Sequence, residues 1–280
     1  MAHRDDPKKD PALRATLEEL LTIWEDRPSA LASVGRGRKV TPARLAVVLS
    51  LAAHTHRLTR AALLLSDAGA DLEAVPLVRG ALEHGLTTQW ISQYEDAAVA
   101  GFANEHERQR RNFARTLLES GLRNAEEVAA VLDKPPAFEH SSADGAARSF
   151  QQLCGDFAPL GPQLYALYRV LSGLTHAGPA IVDSYLRPGE HVVVSVEPNK
   201  PLNDNSRMWI LGVSCMWASR AADMLDRDRP HRERLRAIAR QLGTAPVLKL
   251  HPDAWIRRAS ADRQARLRAR AAVVAQPDGA

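Results

Sequence analysis

Three polar residues of the segment LYALYRVLSGLTHAGP have side chains that could together cleave a phosphodiester. Arg169, Ser172 and His176 are spaced i, i+3 and i+7, which places them within about 60° of one another on a helix. Histidine can move a proton, arginine can stabilise developing negative charge, and serine can orient the substrate or the imidazole. This chemistry requires no metal. The alternative is that His176 caps the carboxyl end of the helix and Arg169 faces water.

A second polar pair lies on an otherwise apolar helix. Arg79 and Glu83 are four residues apart and share a helix face with Leu86 and Trp90. Because a buried charge is costly unless it is satisfied, we expect these two residues to be substantially buried and bonded to each other or to the helix before His176. They form either a structural salt bridge or half of a polar pocket.

Positive charge is concentrated near the C-terminus. The chain has 37 Lys and Arg residues, of which 31 are Arg, against 33 Asp and Glu. Residues 229–270 contain twelve basic and three acidic residues, a net charge of +9, whereas the remainder has a net charge of −5. Such a segment suits contact with RNA phosphates, and the alternative is an Arg-rich helix that faces water or docks on its own chain. The candidate nucleic-acid-binding residues are Arg257, Arg258, Arg263 and Arg266.

Composition excludes several classes of protein. The 280 residues are 45% hydrophobic, enough for a core, but no uncharged apolar run approaches the ~18 residues that span a membrane. The opening MAHRDDPKKD lacks the apolar stretch of a secretory signal, and Cys154 and Cys215 have no metal or redox spacing. We therefore expect a cytoplasmic protein with no membrane partner.

No cofactor or metal is expected from the motifs. The chain has no phosphate-binding Gly-Lys loop, no dinucleotide fingerprint and no Glu-x-x-His iron motif. His54 and His56 are two residues apart on a predicted helix and so cannot chelate one ion together. We expect one of them to point inward and the other outward.

Hydrophobic spacing is helical nearly everywhere, which predicts an all-α bundle with peripheral N- and C-terminal helices. The run HVVVSVE at 191–197 predicts a small β-type flap near 190–197. Residues 1–40 are interpreted as an N-terminal helix and linker, 41–226 as the bundle core, and 227–280 as a basic helical extension. The predicted helices cover 11–24, 41–66, 71–94, 97–120, 124–132, the segment from Gly161-Pro162 to Ala177-Gly178-Pro179, 204–225, 232–242 and 252–273.

Two polar helices together resemble an uncharacterised bacterial branch of the HEPN superfamily, known only as a domain of unknown function. The resemblance covers about 41–225 and implies a helical bundle. One helix carries Arg-x-x-x-Glu followed by Trp, and a later helix carries Tyr-x-x-x-Ser-x-x-x-His. The matching residues are Arg79, Glu83 and Trp90, then Tyr168, Ser172 and His176.

An arginine followed after four to six residues by a histidine is similar to the signature of HEPN ribonucleases. Arg169 and His176 have this spacing, and so do Arg79 and His84. Nuclease members usually carry Asn, Asp or His directly after the arginine, where this chain has Val170. The resemblance implies metal-independent RNA cleavage in toxin or phage-defence systems, often at a composite site across a dimer.

Two functions follow from these observations. The first is an RNA-acting protein, a candidate metal-independent endoribonuclease in which Arg169 and His176 are catalytic and Ser172 supports them. The alternative is a noncatalytic binding or scaffold module in which Arg79, Glu83, Ser172 and His176 bind a small ligand or pin the bundle. We also expect a homo-oligomer, because residues 208–217 form an apolar helix with more hydrophobic surface than one bundle face needs.

Overall fold

The computed structural model describes residues 11–27, 40–121, 125–132, 140–187, 193–198, 202–226, 228–260 and 263. Within these ranges the fold is all-α with a small β flap, as predicted. The helices are α1 (Pro11–Glu25), α2 (Pro42–Asp67), α3 (Asp71–Tyr94), α4 (Asp96–Glu119), α5 (Ala125–Leu132), α6 (Asp144–Arg148), α7 (Phe150–Gly155), α8 (Gly161–Gly173), α9 (Pro179–Tyr185), α10 (Asp204–Leu225), α11 (Arg232–Gln241) and α12 (252–260). The strands are β1 (Phe157–Ala158), β2 (Leu186–Arg187), β3 (Val193–Val194) and β4 (Lys249–Leu250).

Local sequence signals account for the main helix boundaries. Thr41 is the N-cap of α2, where its side-chain oxygen accepts a hydrogen bond from the backbone N–H of Arg44 at 3.2 Å, and Pro42 occupies the first turn. Gly69 has a φ of +78°, a conformation that glycine adopts without strain, and it separates α2 from α3. The predicted bounds of α3 and α10 are confirmed.

The chain divides into two compact units. The first contains Met1–Ser92 and Leu160–Leu248, and the second contains Gln93–Pro159 and Lys249–Ala280. This division differs from the parts 1–40, 41–226 and 227–280 suggested by composition. The difference arises because α1 and α11 both pack on α10 within the first unit, whereas β4 pairs with β1 within the second.

In the first unit, α10 is the central helix and is buried along most of its length by α1, α2 and α11. Helix α3 also crosses it closely, since a Cβ atom at Gly85 would lie 2.8 Å from the carbonyl oxygen of Ser214. The Gln89 side chain donates to the carbonyl of Trp217 at 2.8 Å. The apolar surface of residues 208–217 is therefore covered inside the chain, so the reason given above for self-association is wrong.

A fully buried ion cluster joins the start of α10 to the start of α3. Nη2 of Arg207 donates to Oδ1 of Asp71 at 2.5 Å and to Oδ1 of Asp204 at 2.6 Å. The Arg207 side chain is 0% exposed, and both carboxylates are buried. We call Arg207, Asp71 and Asp204 the sealed ion cluster.

The flap in the first unit consists of β2 and β3, which pair antiparallel with Leu186 opposite Val194. The backbone N–H of Ser195 extends the pairing by donating to the carbonyl of Tyr185 at 2.8 Å. Residues 190–192 of the predicted flap lie outside the described residues.

In the second unit, α4 packs against α5 and α6. A Cβ atom at Gly101 would lie 2.9 Å from the backbone carbonyl carbon of Ala143, so α4 and the segment before α6 are in close contact. Strands β1 and β4 pair antiparallel, with Phe157 opposite Leu250. In the part of the chain that the structure describes, none of the helices combines the length and apolar character that crossing a membrane requires.

Candidate functional site

Three side chains connect α3 to α8 in the first unit, and we call Arg79, Glu83 and Tyr168 the Arg79 cluster. Nη2 of Arg79 donates to the Tyr168 hydroxyl at 2.6 Å. The guanidinium carbon lies 4.8 Å from the centroid of the Tyr168 ring, and Nη2 lies 3.6 Å from Oε2 of Glu83. The arginine thus makes an ion pair, a hydrogen bond and a cation–π contact at once. As expected from the sequence, Arg79 reaches both Glu83 and the helix before His176.

The Arg79 cluster is less buried than the sequence suggests. The side chain of Arg79 is 22% exposed and that of Glu83 is 38% exposed, whereas Leu86 and Trp90, farther along α3, are fully buried. The α3 surface around the polar pair is therefore close to solvent. Partial burial raises the pKa of the Glu83 carboxyl, while the charge of Arg79 opposes this shift.

His176 lies beyond the end of α8, which corrects the expectation that it shares a helical face with Arg169 and Ser172. Helix α8 ends at Gly173, with Leu174 as its C-cap. Glycine is a poor helix former, and the Thr175 hydroxyl donates to the carbonyl of Leu171 at 2.7 Å within the final turn. His176 remains attached to that turn through its backbone N–H, which donates to the carbonyl of Ser172 at 3.3 Å.

Arg169 and His176 are both exposed. Among the described residues, the imidazole of His176 has no hydrogen-bond or ion-pair partner, so the ring does not cap the helix carbonyls. Hydrogen bonding to Tyr165 raises the pKa of Arg169. The rings of Tyr165 and Tyr168 are stacked, with centroids 6.2 Å apart and planes inclined by 22°. Helix α8 thus carries a stacked tyrosine pair and an exposed arginine ahead of an exposed histidine.

Two polar atoms at this site are buried without a hydrogen-bond partner among the described residues. They are Nε of Arg79 and Oγ of Ser172. Ser172 lies four residues after Tyr168, so its side chain is on the same face of α8 as the tyrosine that binds Arg79. Buried polar atoms are ordinarily satisfied by protein, water or a ligand. Both atoms are sealed from solvent in the structure, so a ligand cannot reach them directly.

A histidine pair next to Glu83 was not anticipated from the sequence. The rings of His54 on α2 and His84 on α3 have centroids 4.9 Å apart, inclined by 56°. Burial lowers the pKa of His84 to about 4, and His54 contributes to the decrease. His54 is exposed and His56 is buried, as the two-residue spacing predicted. The sequence signal for His84 was its spacing from Arg79. Hydrophobic periodicity could not indicate that α2 places the ring of His54 beside it.

The described residues include no group of three or more His, Cys, Asp or Glu residues able to hold a metal ion. The His54 and His84 pair lacks the third protein ligand that catalytic zinc sites use.

The first two candidate nucleic-acid-binding arginines have partners inside the second unit. Arg257 forms an ion pair with the buried carboxylate of Asp156. Arg258 forms an ion pair with Glu95 and donates to the carbonyl of Gln93 at 2.6 Å. These contacts favour the interpretation in which this part of the basic segment docks on its own chain.

The other two candidates differ from these. Arg263 is helical and exposed, and Arg266 lies outside the described residues. Of the candidate arginines that the structure describes, Arg257 and Arg258 are paired within the unit, and Arg263 has no ion-pair partner among the described residues.

Fold and site together define a two-unit helical protein whose candidate polar site lies in its first unit, where α3 meets α8. A family of unknown function (DUF5677) matches residues 45–191, just over half of the chain, and the protein belongs to this family. The matched segment contains the Arg79 cluster, Arg169, Ser172 and His176. It leaves out α1, α10 and the C-terminal arginines. No curated protein and no solved structure matches the chain.

Proposed function

We propose that the protein binds single-stranded RNA along α8 and the Arg79 cluster and cleaves it without a metal. The supporting observation is that Arg169 and His176 are both exposed and that neither side chain is held in an ion pair among the described residues. A sealed, hydrogen-bonded His176 would have favoured a structural role.

The proposed chemistry is transesterification within the RNA. His176 accepts the proton of a ribose 2′-hydroxyl, whose oxygen attacks the adjacent phosphorus atom while the bond from phosphorus to the 5′-oxygen breaks. The 5′-oxygen leaves with a proton from the imidazolium or from water, and the other product is a 2′,3′-cyclic phosphate. Arg169 stabilises the charge on the nonbridging oxygens, and Ser172 supports His176, because its carbonyl accepts the backbone N–H of His176 at 3.3 Å.

Binding would use the aromatic and cationic side chains of the same face. Nucleic-acid bases stack on aromatic rings without sequence preference, and arginine adds phosphate and cation–π contacts. Tyr165 and Tyr168 supply the rings, and Arg79 and Arg169 supply the charge. This arrangement fits an unpaired strand, because bases in a duplex are not free to stack on side chains.

The alternative of a noncatalytic module is favoured by one observation. Arg79 is already bonded to Tyr168 and paired with Glu83, so it ties α3 to α8 without a substrate. In that case the cluster would stabilise the unit or bind a small ligand at its exposed side.

Incubation of purified protein with labelled single-stranded RNA in EDTA distinguishes the two functions. We expect cleavage by the wild type, a loss of about 100-fold or more in His176→Ala and Arg169→Ala, and no cleavage of DNA, which lacks the 2′-hydroxyl. His106→Ala is the matched control, because His106 is exposed on α4 in the second unit. Intact RNA with the wild type, or cleavage by His176→Ala at the wild-type rate, would favour the noncatalytic module.

RNA binding at increasing salt tests which arginines contact phosphate. We expect Arg169→Ala to weaken binding and reduce its salt dependence, whereas Arg257→Ala should have little effect because Asp156 occupies its guanidinium. Point variants are preferable to truncation after Asp228, since truncation would remove β4 and its pairing with β1. If the wild type and Arg169→Ala bind RNA equally well, the RNA does not contact Arg169 and binds at another surface.

Self-association and kinship with HEPN nucleases are part of the proposal. A composite site would need a second copy of the chain, which light scattering detects directly. A monomer that cleaves RNA would show that one copy supplies the whole site.

A further inference from the structure

A cleft separate from the Arg79 cluster lies between α1 and α2 in the first unit. Its volume is about 580 Å³, within the range of roughly 300–1,000 Å³ in which proteins bind small organic molecules. Its lining residues come only from α1 and α2. Helix α1 lies outside the family segment 45–191 and supplies three of the nine lining residues, so one wall of the cleft belongs to a part of the chain that the family match does not include.

Small residues on α2 leave room for the cleft. Ala53 and Ala61 are eight residues apart, about two helical turns, and both line it. Leu21 and Trp24 of α1 form the opposite wall, and Leu64, at one end, is 66% exposed. An apolar ligand that covers this exposed aliphatic side chain removes apolar surface from water, which favours binding.

A buried histidine fixes the position of the Trp24 ring. The rings of His56 and Trp24 are stacked, with centroids 4.5 Å apart and planes inclined by 14°. The two nitrogens of His56 bond to the carbonyl of Ala52 at 2.7 Å and to Oγ of Ser219 at 2.9 Å. Burial lowers the pKa of His56 to about 4, so its ring is neutral at pH 7. The wall is therefore rigid and brings no charge of its own.

Among the described residues, one of the two arginines that line the cleft has no partner. Arg60 forms an ion pair with Glu25. Arg57 is exposed and has no ion-pair or hydrogen-bond partner among the described residues. Two arginines and one glutamate give the lining a net charge of +1, which complements a ligand with a single negative charge.

We infer that this cleft binds an amphipathic monocarboxylate, with its apolar body between Trp24 and Leu64 and its carboxylate on Arg57. The guanidinium group can donate two parallel hydrogen bonds to the two carboxylate oxygens. Aliphatic and aromatic acids share this chemistry, so both are tested.

Calorimetric titration of the full chain with octanoate and with 2-naphthoate measures the binding. Octanamide and 2-naphthamide are matched neutral probes of nearly the same shape. We expect at least one acid to bind about tenfold or more tightly than its amide, because a charge-assisted hydrogen bond is lost in the amide. Arg57→Ala should weaken binding of the acid by about tenfold and leave the amide unchanged. Arg115→Ala, an exposed arginine of α4, is the control and should bind as the wild type does.

A variant that fills the cleft tests whether the ligand lies inside it, independently of the contact with Arg57. Ala61→Phe should abolish binding of acid and amide alike, and its melting temperature shows whether the fold is kept. The inference is overturned if neither acid binds at millimolar concentration, if acid and amide bind equally, or if Arg57→Ala binds the acid like the wild type.

Discussion

Two polar clusters anchor α3 to later helices, and they differ in access to water. The sealed ion cluster ties Asp71, at the start of α3, to Arg207 of α10 with all three side chains buried. The Arg79 cluster lies about two turns farther along α3 and contacts α8 while remaining partly exposed. Both contain arginine and carboxylate, so residue type does not separate them.

Accessibility to solvent therefore decides which cluster can do chemistry. No substrate reaches Arg207, whose guanidinium already binds two carboxylates. Both arginines keep nitrogens without a hydrogen-bond partner among the described residues, Nε and Nη1 of Arg207 and Nε of Arg79, so exposure is what separates them. Arg79 and Glu83 are partly exposed, and Arg169 and His176 are exposed as well. We therefore expect variants of the first cluster to affect stability most, and variants of the second to affect activity.

The largest effect is expected for Arg207→Ala. Removing this side chain leaves two buried carboxylates without their cation, which costs on the order of 3–5 kcal/mol in the free energy of unfolding. Urea denaturation followed by circular dichroism measures the loss. The exposed-arginine control Arg115→Ala should stay within about 0.5 kcal/mol of the wild type. A midpoint unchanged by Arg207→Ala would show that the cluster is not sealed in solution.

A smaller effect is expected for Arg79→Ala. The variant loses the hydrogen bond to Tyr168 and the cation–π contact, but water can solvate the partly exposed Glu83, so the cost should be about 1–2 kcal/mol. A double-mutant cycle of Arg79→Ala with Tyr168→Phe isolates the hydrogen bond. A loss as large as that of Arg207→Ala would mean that the two clusters are equally buried and the comparison fails.

The smallest effect is expected for the pH dependence of Glu83→Gln. Because burial raises the pKa of Glu83, the folded protein retains this proton to higher pH than the unfolded chain does. The wild type therefore loses stability as pH rises from about 4.5 through the raised pKa. Glutamine cannot ionise, so Glu83→Gln should gain stability relative to the wild type over this window, by no more than about 1 kcal/mol for a partly solvated group.

Urea unfolding at pH 4 and at pH 7.5 tests the sign of this difference. Glu73→Gln, at an exposed position on the same helix, is the matched control. A relative loss of stability by Glu83→Gln as the pH rises would show that attraction to Arg79 outweighs burial at this carboxyl.

Elements that depend on local chemistry could be predicted from the amino-acid sequence. The Thr41 cap and Pro42 start α2, and hydrophobic periodicity marks the bounds of α3 and α10, because caps and periodicity act within a few turns. The four-residue spacing also identified Arg79 and Glu83 as partners. Hydrophobic periodicity wrongly extended α8 through His176, because the helix ends at Gly173.

Which polar residues are buried and which remain accessible depends on the packing of segments that are distant in the chain. Asp71 and Arg207 are 136 residues apart, and nothing in either segment indicates the other. The covering of α10 by α1 and α11, and the pairing of Arg257 with Asp156, likewise join distant segments. Burial is a property of the assembled fold, so the sequence could name the arginines of this protein but not distinguish those that hold it together from those that can meet a ligand.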